Sequence, residues 1–340
     1  MASGVALTRG IRSIRPYGWK PFAVVAVAAG VSTVAFALVL GYQLGGDRFV
    51  TAVDDIGEAV AALIAAGACG WTATRSEGKF RRGWALMAAS AGAWCIGEVV
   101  WSVYEVGLGV VSPFPSVADI GFLAAVPLSI AGILFFWTAP RGTAERWRLW
   151  LDGLMIALAL TFTAWSLGLQ QIELSQGSFG ERAIGLAYPV GDILIATVLI
   201  LALRRAARLQ HGRMLLLLGG LASNAIADSV FAYMTASGTY PTLLVDTGWV
   251  VGYLMIAIAA LWPARPIDRA ADKRPIDLWQ FALPWAAVLT AAASALVVVV
   301  RGQRTDQFQA ALAVAIVSLL LVSEVLIPWL VMWRTSPDAV

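Results

Sequence analysis

The sequence predicts an all-α, polytopic membrane fold of about ten transmembrane helices, and three observations carry that prediction. Hydrophobic residues make up 59% of the 340-residue chain and charged residues 13%, whereas a soluble domain carries roughly a quarter charged residues. Mean hydropathy is +0.77. The charges gather between apolar runs about 18–26 residues long, and a helix needs roughly 20 to cross the hydrocarbon core. Membrane strands would need about 10 strictly alternating residues, a pattern the chain does not contain.

The first span, 22–44, follows a tail (1–21) that carries Arg9, Arg12, Arg15 and Lys20. Its apolar run is longer than a signal-peptide core and reads as a retained helix. The second, 52–74, is the weakest, because Asp54, Asp55 and Glu58 crowd its beginning. The third and fourth, 84–107 and 117–138, form a hairpin around Pro113 and Pro115. The fifth, 150–170, starts after Arg141, Arg146 and Arg148. The sixth, 184–203, contains Pro189 near its expected start, and the seventh, 214–235, follows a basic stretch from Arg204 to Arg213. The eighth, 245–262, follows Pro241. The ninth, 278–300, follows a mixed-charge connector, and the tenth, 308–333, leaves a tail of 334–340. The transmembrane domain is thus 22–333, with its repeat-bearing part at about 84–262.

Basic residues set the expected orientation. Alternate connections and the two tails hold 20 of the 24 Lys and Arg residues; the opposite side has only Arg48, Arg182, Arg301 and Arg304. Basic loops stay cytoplasmic, so both termini are expected inside an inner (plasma) membrane. Trp19, Trp71, Trp84, Trp137, Trp147, Trp150, Trp262, Trp279 and Trp333 fall at the same ends, where interfacial anchors belong.

The candidate site residues are acids within spans that lack a basic partner: Glu98, Glu105, Asp119, Asp152, Asp192, Asp228, Asp246 and Glu324. Each costs about 2.5–3.5 kcal/mol at a helix centre on insertion scales. Six gather toward the outer half: Glu98, Glu105, Asp119, Asp192, Asp228 and Asp246. Glu98 and Glu105, seven apart, share a helical face with Trp101. Trp101, Tyr104, Phe122, Tyr188, Phe231, Tyr233, Tyr240 and Trp249 accompany them, a mixture that suits a cationic or hydroxylated ligand. Two readings stand for Asp119, Asp192 and Asp246, which follow Pro115, Pro189 and Pro241: ligand contacts, or first-turn acids at helix starts. Asn224, one turn before Asp228, is either a further ligand contact or a cross-bundle hydrogen-bonding group.

The pattern recurs. Ile96-Gly97-Glu98 through Trp101 and Tyr104 to Asp119-Ile120-Gly121-Phe122 parallels Ile226-Ala227-Asp228 through Phe231 and Tyr233 to Asp246-Thr247-Gly248-Trp249, offset by about 127–130 residues. A looser middle copy contains Tyr188-Pro189-Val190-Gly191-Asp192. These segments, with Pro113-Phe114-Pro115-Ser116, Trp150-Leu151-Asp152-Gly153 and Tyr240-Pro241 in the same order, resemble the N-terminal membrane region of actinobacterial cyclic-di-GMP signalling proteins. The resemblance covers roughly residues 84–262. It implies a sensory input module whose output is a cytoplasmic GGDEF or EAL domain. The chain ends at Val340, shortly after the tenth span, so the output is expected from a partner, or from a longer protein of which this chain is a fragment. Gly45-Gly46-Asp47-Arg48-Phe49 mimics a GGDEF signature but has Arg where the acid belongs.

Other chemistry is excluded. Cys69 and Cys95 lie in apolar runs without metal-ligand spacing, and the single histidine, His211, cannot build a bis-histidine haem or histidine-based zinc site. No P-loop, dinucleotide fingerprint or nucleophile elbow is present. No catalytic residues, metal or cofactor are expected, nor any nucleic-acid partner. The expected partners are the lipid bilayer, a small-molecule ligand, and a cytoplasmic signalling protein or output domain. The expectation is therefore a non-enzymatic sensor, with a proton- or cation-coupled transporter as the alternative. A membrane enzyme built on paired carboxylates ranks last.

Overall fold

A computed structural model describes residues 18–136, 143–166, 178–204, 211–236, 244–263, 278–302 and 305–322. The N-terminal tail to 17, Trp137, Tyr240, Pro241, the connector 264–277, Glu324, Trp333 and the tail 334–340 lie outside the described residues, as does the side chain of His211. Among the described residues there are ten α-helices and no strand. They are α1 (Trp19–Gly41), α2 (Asp47–Thr74), α3 (Gly78–Ser102), α4 (Ala118–Phe136), α5 (Thr143–Ala164), α6 (Phe179–Arg204), α7 (His211–Ala236), α8 (Thr247–Leu261), α9 (Leu278–Val300) and α10 (Gln307–Leu321). A π-helical turn, Val103–Gly107, extends α3, and a 3-10 turn, Leu244–Asp246, leads into α8.

Six segments are long and apolar enough to cross a membrane: Trp19–Gly41, Gly78–Gly107, Ala118–Phe136, Phe179–Leu203, Gly212–Thr235 and Leu244–Leu261. By length and composition they mark a multi-pass membrane protein. Three shorter apolar helices accompany them, at Leu149–Ala164, Trp285–Val300 and Gln307–Leu321. α2 is not among the six. Its buried side chains explain its composition: Val50, Asp54, Glu58, Ala61, Ala65, Cys69 and Ala73 recur every three or four residues. The acids that made this span look weak are thus the continuation of its packed stripe.

Local chemistry fixes the helix starts. Gly45 and Gly46 take φ of 93° and 84°, a region that only glycine enters without cost. The GGDRF segment is therefore a tight turn followed by the first turn of α2, which Asp47 opens. At α4 the Ser116 N–H donates to Asp119 Oδ2 (2.5 Å), and the Ala118 N–H donates to Ser116 Oγ (3.2 Å). α10 opens with a reciprocal capping box. Gln309 N–H donates to Asp306 Oδ1 (2.6 Å), and Asp306 N–H donates to Gln309 Oε1 (3.0 Å).

The first-turn reading of Asp192 is wrong. α6 starts at Phe179 and carries Pro189 inside it, so Asp192 is an interior residue and not a first-turn acid. A proline within a membrane helix is tolerated where neighbouring helices re-satisfy the released carbonyl; α4 accommodates Pro127 in the same way.

Small residues set the closest crossings. A Cβ at Gly121 would stand 2.6 Å from Ala93 O and 2.8 Å from Gly97 N, and one at Gly132 would stand 3.1 Å from Gly83 O. α3 and α4 therefore touch backbone to backbone at two levels. In the α7–α8 pair, Cβ atoms at Gly220 and Gly248 would meet Gly252 O at 2.7 Å and Ala227 Cβ at 2.9 Å. α3 also packs closely on α2, and α2 on α8. One apolar core joins α1 to α4 with α6, α7 and α8; a second joins α5, α9 and α10 to α6, which contributes to both.

Trp19, Trp71, Trp147 and Trp150 are at least half exposed, as interfacial anchors are. Trp84 is not: it is 1% exposed and packs on Phe136 at 4.8 Å. The Arg213 guanidinium lies 5.3 Å from its ring. Arg213, grouped above with loop cations, is itself buried and donates from Nη2 to Trp262 O (2.8 Å). Cys69 is fully buried, Cys95 half-buried, and both are free thiols.

Candidate functional site

Helix geometry brings the acids of α2 and α3 together. The two helices are antiparallel neighbours, so Asp54 and Asp55 lie level with the π-helical turn and Glu58 lies one turn deeper, level with Glu98. Asp54 is close enough to Asp55, Glu98, Glu105 and Asp246 to be acted on by their charges, and Asp55 to Glu105 and Asp246. The Glu58 and Glu98 carboxyls lie against each other. Asp54, Asp55, Glu58, Glu98 and Asp246 are buried, Asp246 completely; Glu105 is half-buried. Glu105 accepts from the Ser112 N–H at 3.3 Å. Among the described residues, Asp54 Oδ1 and Asp55 Oδ2 are buried with no hydrogen-bond partner. A buried carboxylate oxygen left bare is costly, so this cluster has capacity for a cationic or donor-rich partner.

An aromatic chain runs beside the acids. Trp94 packs on Phe122 (centroids 4.7 Å apart), Phe122 on Trp101 (6.5 Å), Trp101 on Phe231 (6.0 Å) and Phe231 on Trp249 (5.9 Å). Its terminal indoles each hold a carboxyl group. Trp94 Nε1 donates to Glu98 Oε1 (2.8 Å), and Trp249 Nε1 donates to Asp228 Oδ1 (2.7 Å). Asp228 in turn lies against Asp192 of α6.

A cavity of about 30 Å³ lies deeper, between α3, α4, α6, α7 and α8. On α3 its lining residues, Met87, Ser90, Ala91 and Trp94, precede Glu98, and on α4 Ala125, Val126 and Ser129 follow Phe122. It therefore sits near the middle of both spans. Tyr188, Asp192, Asn224, Asp228 and Tyr253 supply its polar side.

Most of the sequence candidates converge on these two neighbouring regions. Glu98, Glu105 and Asp246 join the acid cluster, while Trp101 and Trp249 join the aromatic chain. Asp192, Asn224, Asp228 and Tyr188 line the cavity. Asp119 is buried and serves two partners: it holds the start of α4, as the first-turn reading expects, and it accepts from the Tyr188 hydroxyl. Tyr104 is half-buried on the π-helical turn. Tyr233 departs from the group, being 45% exposed, because it falls on the outer face of α7 beyond Phe231. Asp152 is buried within α5, outside both regions. Asp54, Asp55 and Glu58 were seen in sequence only as a defect of the second span. Their signal was the spacing of 54 and 58 in phase with Ala61, Ala65 and Cys69. Trp94 and Tyr253 were missed because an aromatic in an apolar run has no distinguishing pattern.

Among the described residues no group of three or more His, Cys, Asp or Glu side chains is placed to chelate a metal ion. The chain matches no protein-family model, no curated protein and no solved structure.

Proposed function

We propose that the protein is a non-enzymatic membrane sensory module that binds a small cationic or hydroxylated ligand at the acid cluster of α2 and α3. Ligand binding shifts these helices and signals to a cytoplasmic protein or a GGDEF/EAL-type output domain. The observation that carries the reading is the pair of bare, buried oxygens, Asp54 Oδ1 and Asp55 Oδ2, amid Glu58, Glu98, Glu105 and Asp246. Acids this crowded repel one another, and a cation arriving among them relieves that repulsion and fills both vacant acceptor positions. The basic-residue asymmetry supports an orientation with this end of the bundle outside and both termini in the cytoplasm, as a receptor for an external ligand requires. The hairpins α3–α4 and α7–α8 act as two copies of one unit, with Glu98 and Gly121 equivalent to Asp228 and Gly248. Sites commonly form between such copies.

The test is melting of the purified protein in detergent with spermidine, choline or trehalose as probes. Spermidine or choline is expected to raise the midpoint saturably, with the rise lost in Glu98→Gln and Asp55→Asn while both variants still melt cooperatively. No shift with any probe, or a shift retained by both variants, refutes the reading. The second reading is a proton- or cation-coupled transporter. It is favoured by the continuity of carboxyl groups from Glu58–Glu98 to Asp228–Asp192, toward the middle of the bundle. Uptake of labelled choline or spermidine into proteoliposomes, lost in Glu98→Gln, would replace the sensor by the transporter.

A further inference from the structure

Four donor groups on the lining of the cavity between the two hairpins have their hydrogens committed elsewhere. Ser90 Oγ donates to Ala125 O (2.8 Å), Ser129 Oγ to Val126 O (2.8 Å), Trp94 Nε1 to Glu98 (2.8 Å), and the Tyr188 hydroxyl to Asp119. Acceptor oxygens remain. Asp192 Oδ2 and Asn224 Oδ1 are buried with no hydrogen-bond partner among the described residues, and Asn224 as a whole is 6% exposed. The hydroxyl oxygens of Ser90, Ser129 and Tyr188 keep lone pairs on the same lining.

Size and charge narrow the occupant. About 30 Å³ is an order of magnitude below the roughly 300–1,000 Å³ of organic-ligand pockets; a single water needs roughly 10–15 Å³. Oxygen-only coordination belongs to hard cations. Asp192 and Asp228 stand together on the lining, and a small cation between them relieves the repulsion of two neighbouring acids. Lys and Arg are absent from the cavity lining.

We propose that this mid-bundle cavity is a binding site for one sodium ion, coordinated by Asp192 Oδ2 and Asn224 Oδ1 with the Ser90, Ser129 and Tyr188 oxygens nearby. The site is separate from the acid cluster around Asp54 and Asp55, so it stands whether or not that cluster binds an organic ligand. Gly252 belongs to its construction: a Cβ there would collide with the Asn224 amide and stand 2.7 Å from Gly220 O.

The direct test is equilibrium binding of 22Na+ to the purified full chain, with melting compared in NaCl, KCl and choline chloride at equal ionic strength. Saturable binding near one ion per chain and a higher midpoint in NaCl are expected. Asp192→Asn and Asn224→Ala should each weaken 22Na+ binding at least tenfold, whereas Asp54→Asn should leave it within twofold. If wild type binds no 22Na+ and melts identically in the three salts, the cavity holds water and the proposal is wrong. It is equally wrong if binding survives in Asp192→Asn or disappears in Asp54→Asn. The wild-type arm decides the matter even if a variant fails to fold, and a choline-specific shift without 22Na+ binding would uphold the acid-cluster reading alone.

Discussion

Replacing Gly121 by alanine puts a methyl group where α4 meets the backbone of α3. The new carbon would stand 2.6 Å from Ala93 O, 2.8 Å from Gly97 N and 3.0 Å from Gly97 Cα. None of these atoms belongs to a side chain that could rotate away, so the helices themselves must separate. Overpacking of this kind costs about 1–3 kcal/mol, and with only backbone to yield, the upper part of that range applies. Alanine in a helix returns roughly 0.5–1 kcal/mol over glycine, which leaves a net loss of about 1–2 kcal/mol. Gly92 on α3 is the matched control: nothing lies within 4 Å of its Cβ position, so Gly92→Ala should be neutral or stabilising by up to about 1 kcal/mol. Gly248→Ala should fall between them, because its nearest contact is the Ala227 methyl at 2.9 Å and the next lies at 3.4 Å. Unfolding by dodecyl sulfate in mixed micelles, followed by tryptophan fluorescence, ranks the three. If Gly121→Ala unfolds within about 0.5 kcal/mol of Gly92→Ala, the backbone crossing does not hold the hairpin together. The same crossing sets Phe122 against Trp94 and so aims the indole at Glu98. Gly121→Ala should therefore also weaken any ligand response at the acid cluster.

Three further outcomes are expected. Trp249→Phe removes the indole donor to Asp228 and should cost about 1–3 kcal/mol; a double-mutant cycle with Asp228→Ala that shows no coupling would contradict the bond. Asp306→Ala opens the capping box of α10 and should cost about 0.5–2 kcal/mol, read in the same micelle titration, with wild-type stability refuting the cap. In a Cys95→Ala background, Cys69 should resist a membrane-permeant maleimide until the protein unfolds, since it is fully buried; labelling in the native state would place α2 elsewhere.

The helices were legible because apolar length is a strong physical signal: each expected span overlaps a helix, and six of the segments are long and apolar enough to cross a membrane. Phase was harder. Pro189 suggested a helix start, yet the helix runs ten residues before it, as bilayer helices can when neighbours cover the released carbonyl. Seven-residue spacing placed Glu98 and Glu105 on one face, but the π-helical turn at Val103–Gly107 interrupts that face between them. Both still meet α2, Glu98 at Glu58 and Glu105 at Asp55. Read alone, the α2 acids lower the hydropathy of a span. Only the packing of α2 on α3 converts them into part of a site, and pairing between non-consecutive helices such as α2 and α8 leaves no local trace in sequence.

The asymmetry between the two hairpins accounts for the cavity. The repeat read from the sequence pairs Trp94 with Asn224 and Phe122 with Trp249; in the structure the indole that holds a carboxyl group stands on α3 in one hairpin and on α8 in the other. Where Trp94 fills its side of the interface, the shorter Asn224 leaves space, and Asp192 from α6 reaches it. On the sodium proposal, such an arrangement trades stability for a binding position. Asn224→Leu exposes the trade. Leucine adds no hydrogen-bonding group, can extend into the adjoining 30 Å³, and removes a buried oxygen with no partner, a defect worth about 1–3 kcal/mol. In a sodium-free buffer this variant should therefore be at least as stable as wild type, and adding sodium should no longer raise its midpoint. A variant destabilised by more than about 2 kcal/mol without sodium would mean that Asn224 is a structural hydrogen-bonding residue, and that the cavity owes its shape to packing alone.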